Sequence, residues 1–237
     1  MNTFILGGKS SADYGIIMIK PPALVGAERD VERHSIAGRS GDIIMDNGRY
    51  KNVTVPYECA LVPPDDMDFR AAAIQVVNFL RPTSAYKRLE NTYDALHYRL
   101  ARVVSAISVE SIVEQAGTFK IQFDCAPQRY LIEGETEISM TAAGTLVNPT
   151  TEDALPLITV FGSGEGTLVI GDRNVVINEL DSAMILDCKN QNAYYGTTNL
   201  NGAIKAQPFP ILVPGENAIS WTGGVTSIRI IPRWWTT

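Results

Sequence analysis

Apolar and polar positions alternate along most of this chain, the period of a strand with one buried and one wet face. Tyr98-Arg99-Leu100-Ala101-Arg102-Val103 and Thr118-Phe119-Lys120-Ile121-Gln122-Phe123 alternate cleanly. Asp42-Ile43-Ile44-Met45 and Lys51-Asn52-Val53-Thr54-Val55 flank Asp46-Asn47-Gly48. Asn-Gly supplies the positive φ angles of a tight turn, so a hairpin is expected there. One segment breaks the period of two. Phe69, Ala73, Val76 and Leu80 fall at helical spacing and would line one apolar face. Asp65, Asp66 and Asp68 precede them, where carboxylates suit the positive end of a helix dipole and cap free N–H groups. Arg81-Pro82 then stops the pattern. The expectation is a helix near 66–80 that covers one face of the first set of strands.

The pattern weakens between Glu133 and Asp153. Thr141-Ala142-Ala143-Gly144-Thr145 and Asn148-Pro149-Thr150-Thr151 are small, polar and turn-prone, and 139–150 reads as a connection. Short apolar runs resume with Leu155-Pro156-Leu157-Ile158-Thr159-Val160 and Thr167-Leu168-Val169-Ile170, and turns rich in Gly and Pro punctuate them. Such spacing suggests a sandwich. The division expected is therefore a first β domain with one helix, 1–138, and a second of strands alone, 151–237. The last strand, Val225-Thr226-Ser227-Ile228-Arg229-Ile230, leads into Pro232-Arg233-Trp234-Trp235, which holds two of the three tryptophans. A terminus is normally frayed and polar. These rings need cover, either from their own domain or from an interface.

Composition narrows the class. At 237 residues with 45% hydrophobic and 19% charged, the chain is an ordinary globular one. The net charge of −6 leaves no excess of Lys and Arg to neutralise phosphates, which argues against a nucleic-acid binder. Cys59, Cys125 and Cys188 are far apart, odd in number and set among apolar neighbours, so they read as buried thiols rather than a zinc or redox motif. Met1–Lys9 lacks the pattern of a secretory signal, and no apolar run approaches the ~20 residues of a membrane span. Synthesis in a reducing cytosol, with no membrane partner, is the expectation.

Candidate chemistry is sparse. Gly7-Gly8-Lys9-Ser10 resembles the end of a phosphate loop, but the glycine required five residues before Gly8 is Thr3. Gly162-Ser163-Gly164-Glu165-Gly166 hints at a dinucleotide fingerprint, yet residue 167 is threonine and a hairpin is expected to follow, so a flexible turn is the better reading. His34 and His97 are the only histidines, and no Gly-x-Ser-x-Gly elbow exists. Glu133, Glu135 and Glu137 would share one strand face, a carboxylate set more at home in solvent than in catalysis. Asp65-Asp66-Met67-Asp68 lacks the alternation and glycine of a calcium loop. The expectation is a protein that is not an enzyme, with no catalytic residues, no metal ligands and no cofactor.

Several blocks, weak singly, resemble one family in their order and spacing. Phe4, Gly7, Ser11 and Asp13-Tyr14-Gly15-Ile16 open the chain. Gly38-Arg39-Ser40-Gly41-Asp42 and Asp46-Asn47-Gly48-Arg49-Tyr50-Lys51-Asn52-Val53 follow, then Phe123-Asp124-Cys125-Ala126-Pro127-Gln128-Arg129-Tyr130. Phe209-Pro210-Ile211-Leu212-Val213-Pro214-Gly215-Glu216-Asn217 and Pro232-Arg233-Trp234-Trp235 end it. Together they resemble the distal tail proteins of long-tailed, non-contractile phages and prophages of Gram-positive bacteria. The resemblance implies a mainly β chain: an N-terminal barrel-like or sandwich-like β domain with one helix, which would form the ring, then a galectin-like β-sandwich. It implies a homo-hexameric hub at the tail tip of the virion. That ring would join the major tail tube protein to the central tail-tip protein and to receptor-binding or adaptor proteins, and DNA would pass through it without specific binding. A galectin-like sandwich also raises an alternative, a carbohydrate-binding module for host adhesion, with Tyr194, Tyr195, Trp221, Trp234 and Trp235 as stacking rings. Against it, the second domain has no histidine, and Trp221 is followed by Thr222-Gly223-Gly224 with no Glu.

Overall fold

The computed structural model describes residues 1–64, 67–113, 116–206 and 208–237. The chain is mainly β and divides into two compact units, Met1–Arg129 with Thr237, and Tyr130–Thr236.

The first unit begins with β1 (Phe4–Leu6), β2 (Lys9–Ser10) and β3 (Ile16–Met18). Then come β4 (Arg29–His34), β5 (Ile43–Tyr50), β6 (Val53–Leu61), α1 (Phe69–Phe79), β7 (Lys87–Asn91), β8 (Asp94–Val103), β9 (Glu110–Val113) and β10 (Ala116–Leu131), whose last two residues belong to the second unit. Its main sheet runs β2-β1-β7-β8-β10-β6-β3, with β9 added to β10. Alternation dictates which residues fill the core. Along β6, Val53, Val55, Tyr57, Cys59 and Leu61 point inward and the residues between them outward.

The helix forms where the spacing places it. Asp68 takes an extended backbone and its Oδ2 accepts the Ala71 N–H at 3.1 Å, an N-cap. Asp65 and Asp66 lie outside the described residues. Ala72 and Val76 are buried beneath the helix. Phe79 stacks on Tyr14, with centroids 4.2 Å apart, and lies 6.3 Å from Phe4. Phe4 in turn meets Tyr57 and Phe123 edge-on. One aromatic cluster therefore ties helix, first strand and central strands together.

Asp46-Asn47-Gly48 does not close a hairpin. All three lie inside β5, which pairs with β4 as a separate two-stranded sheet. The register steps from Arg29–Tyr50 to Val31–Asp46, so Asn47, Gly48 and Arg49 oppose Asp30 alone. Gly48 has φ 72° and its N–H bonds Asp46 Oδ1 at 2.8 Å. The positive φ that Asn-Gly offers is spent on a bulge.

The second unit contains β11 (Ile138–Met140), β12 (Gly144–Asn148), β13 (Leu157–Ile170), β14 (Arg173–Asp187), β15 (Asn192–Tyr195), β16 (Thr198–Asn199), β17 (Ile204–Lys205), β18 (Gly215–Ile231) and β19 (Trp235–Thr236). Its sheet runs β11-β18-β13-β14-β15-β16, with β12 on β18 and β17 on β14. The segment 139–150, read as a connection, thus holds the end of β11 and all of β12. Their small polar residues hide the alternation, but β18 supplies a pairing edge. Gly162–Gly166, read as a flexible turn, lies within β13. There Gly162 (φ 148°) and Gly164 (φ 80°) bend the strand against β14 and β18. A Cβ on Gly224 of β18 would sit 1.7 Å from Ser163 O, so the strands approach only because glycine faces them.

Candidate functional site

Most of the residues singled out for chemistry have structural work. Gly7 and Gly8 both take positive φ, 58° and 80°, and make the tight turn between β1 and β2. Glu133, Glu135 and Glu137 do not alternate along a strand as expected. Residues Ile132–Glu135 form a 3-10 turn, because Gly134 must pass against the backbone of Trp234, where a Cβ would lie 2.5 Å from its N. All three carboxylates are exposed, and Glu137 pairs with Arg229 at 3.5 Å. The three cysteines are buried and free, and burial pushes each thiol up to about 12. Among the described residues, no cluster of His, Cys, Asp and Glu could hold a metal ion, and no helix is long and apolar enough to cross a membrane.

The C-terminal aromatics dock on their own unit. Trp234 is 4% exposed and belongs to the second core. Leu131 N–H donates to Trp234 O at 2.9 Å, and Arg233 N–H to Gly134 O at 2.8 Å. Trp235 Nε1 donates to Asp153 O at 2.8 Å. Arg233, at φ 60°, is held there by a 2.7 Å ion pair with Asp187. Asp187 is nearly buried, and desolvation works against its charge. Hydrogen bonds from Arg233 and Asn190 prevail and keep its carboxyl below the usual range. Trp221 packs partly buried against the same core, while Tyr195 stays 49% exposed.

A different surface has no cover among the described residues. The β4–β5 ribbon is exposed on both faces, with Ile44 63% and Met45 55% accessible, and Ile36 in its connecting loop is also exposed. A two-stranded ribbon is marginal alone in water. Polar contacts brace its base: both Nε and Nη2 of Arg29 reach Asp46 Oδ2, Arg49 pairs with Asp30 at 2.7 Å, and Arg29 lies over the Tyr50 ring. Hydrogen bonds from Arg29 and the Gly48 N–H hold the Asp46 carboxyl below its ordinary value. Among the described residues, nothing of this kind covers the apolar residues nearer the tip. His34 sits on this ribbon, exposed, 3.6 Å from Glu32.

His97 lies elsewhere in the first unit, in a polar cluster that motif reading missed. Asp94 accepts from His97 Nδ1 and from Arg129 Nη2, each at 2.7 Å. Desolvation opposes the charge of Asp94, but those two bonds keep its carboxyl low. Arg99 lies beside them. The signal was legible: Arg99, Ala101 and Val103 share one face of β8, and Ala101 and Val103 are core.

No protein-family model matches the chain, and no curated protein does. Solved structures do. The crystal structure of the SPP1 Dit (gp 19.1) protein, described as a paradigm of the hub adsorption apparatus in phages infecting Gram-positive bacteria, aligns with a TM-score of 0.75 over 100% of both chains. The chain has the Dit fold. At 14% sequence identity the likeness is one of architecture. It agrees with the family resemblance carried by the sequence blocks, and because it spans the full length, the Dit fold accounts for both units.

Proposed function

We propose that this chain is a structural protein of a phage tail tip, a distal tail hub, and not an enzyme. The observation that carries the reading is the full-length match to a Dit hub protein. Six copies would close a ring through the first unit, which would be the ring-forming domain, and the second would be a galectin-like module. The ring would join the major tail tube protein to the central tail-tip protein and to receptor-binding or adaptor proteins. DNA would pass through without specific binding, in keeping with a net charge of −6. The protein would reside at the tail tip of the virion after synthesis in the host cytoplasm.

The β4–β5 ribbon supports the oligomer. Its uncovered Ile44 and Met45 suit a head-to-tail contact with the next copy, the kind of interface that closes into a ring. Light scattering coupled to gel filtration tests this. A mass of about 155 kDa, six times the 25.9 kDa chain, is expected. A stable monomer at high concentration would sink the ring as a property of this chain alone.

A further inference from the structure

The first unit holds a cavity of about 270 Å³ whose polar lining includes Tyr57, Asn91, Asp94, His97, Arg99 and Arg129. Tyr57, 4% exposed, lines it. Asn91 fixes the direction of the hydrogen bond to Tyr57. Asn91 Oδ1 accepts the backbone N–H groups of Tyr93 and Asp94 at 3.0 and 3.1 Å, so its Nδ2 faces the phenol and donates to the Tyr57 oxygen at 3.2 Å. Among the described residues, the phenolic proton has no acceptor. Burial raises the Tyr57 pKa well above that of a free phenol, so the proton stays in place.

Arg99 lines the same cavity. Among the described residues, its Nη1 and Nη2 donate only to backbone carbonyls, Pro127 O at 3.4 Å and Val25 O at 3.2 Å, and no carboxylate forms an ion pair with it. A guanidinium carries five N–H donors, so several remain uncommitted. Burial, and then the neighbouring Arg129 charge, pull its pKa down. The Asp94 charge lies near enough to favour the Arg99 cation, but its oxygens are hydrogen-bonded to His97 and Arg129 instead of to Arg99. With Arg99 and Arg129 positive and Asp94 negative, the lining carries one uncompensated positive charge when His97 is neutral. Val55, Leu89 and Leu24 give the cavity apolar walls.

We propose that this cavity is a binding site for a monovalent carboxylate. Its two oxygens would meet the Arg99 fork and the Tyr57 hydroxyl, and its carbon chain would lie on the apolar walls. A planar pair of oxygens matches a guanidinium, and the surplus of one charge selects a monoanion over phosphate. The same chemistry is offered by a small free carboxylate and by the C-terminus of a polypeptide.

Equilibrium dialysis of the full chain at constant ionic strength tests the site, with radiolabelled acetate, N-acetylglycine as a chain-end mimic, and the neutral N-acetylglycinamide. The expected result is one saturable site per chain for the carboxylates and none for the amide. Tyr57→Phe keeps the ring in the core and should weaken binding about tenfold, the loss of one hydrogen bond to a charged group. Arg99→Gln should abolish it, with circular dichroism checking that the variant is folded. If Arg99→Gln does not fold, Tyr57→Phe alone decides. N-acetylglycine binding well above acetate would assign the site to a polypeptide end, and equal binding to a free carboxylate. Absence of saturable carboxylate binding, equal binding of the amide, or unchanged affinity in Tyr57→Phe would overturn the proposal.

Discussion

The C-terminal Arg233-Trp234-Trp235 segment and the β4–β5 ribbon pose the same problem and meet it in opposite ways. Both put large apolar side chains where a chain is usually polar. The terminus buries Trp234 in the second unit, seals it with two backbone hydrogen bonds and fixes its turn with the Arg233–Asp187 pair. The ribbon leaves Ile44 and Met45 in solvent and spends its polar contacts on keeping two strands together. Apolar residues near a terminus or a loop are therefore ambiguous in sequence. What separates core from contact surface is whether the same unit offers a pairing edge and a cavity of the right size.

That contrast can be broken at several points. Trp234→Ala should cost about 3–5 kcal/mol in the second unit, because it empties a closed site. Urea unfolding followed by intrinsic fluorescence would read it, and a loss below about 1 kcal/mol would mean the terminus is not part of that core. Asp187→Asn removes the charge that holds Arg233 and should cost about 1–2 kcal/mol. The Asp187 pKa is depressed in the folded state, so its contribution is complete above the ordinary carboxylate range and is lost as pH falls toward the folded value. Acid titration of stability should accordingly be shallower in Asp187→Asn than in the parent chain. Ile44→Asp combined with Met45→Asp should shift the stability of the chain by no more than about 0.5 kcal/mol, yet remove the species near 155 kDa. An unchanged mass would show that the ribbon is not the ring contact. Asp46→Asn should have the smallest effect on the whole chain. Amide exchange in 29–50 should quicken, while exchange in the second unit stays as it was.

The sequence was most legible where one period ran without interruption. The inward set Val53, Val55, Tyr57, Cys59 and Leu61 and the helical set around Val76 are both in place. It was least legible where glycine served a close approach. Gly48, Gly134 and the Gly162–Gly166 run read locally as turns or open faces, but their conformations answer to partners distant in sequence, Arg29 to Val31, Trp234 and Gly224. Local patterning cannot register such partners. The cavity around Arg99 was half visible: a charge in phase with Ala101 and Val103 pointed inward, whereas Asn91, Asp94 and Arg129 joined it only through tertiary structure.

The hydrogen bonds of Leu131 with Trp234 and of Arg233 with Gly134 bring the first and last residues of the second unit side by side. The backbone therefore enters and leaves that unit at one place. A body closed on itself in this way can change the size of its loops without disturbing the stem where its first and last residues meet. In evolution it can behave as a cassette, free to grow or be replaced while the rest of the chain keeps its shape.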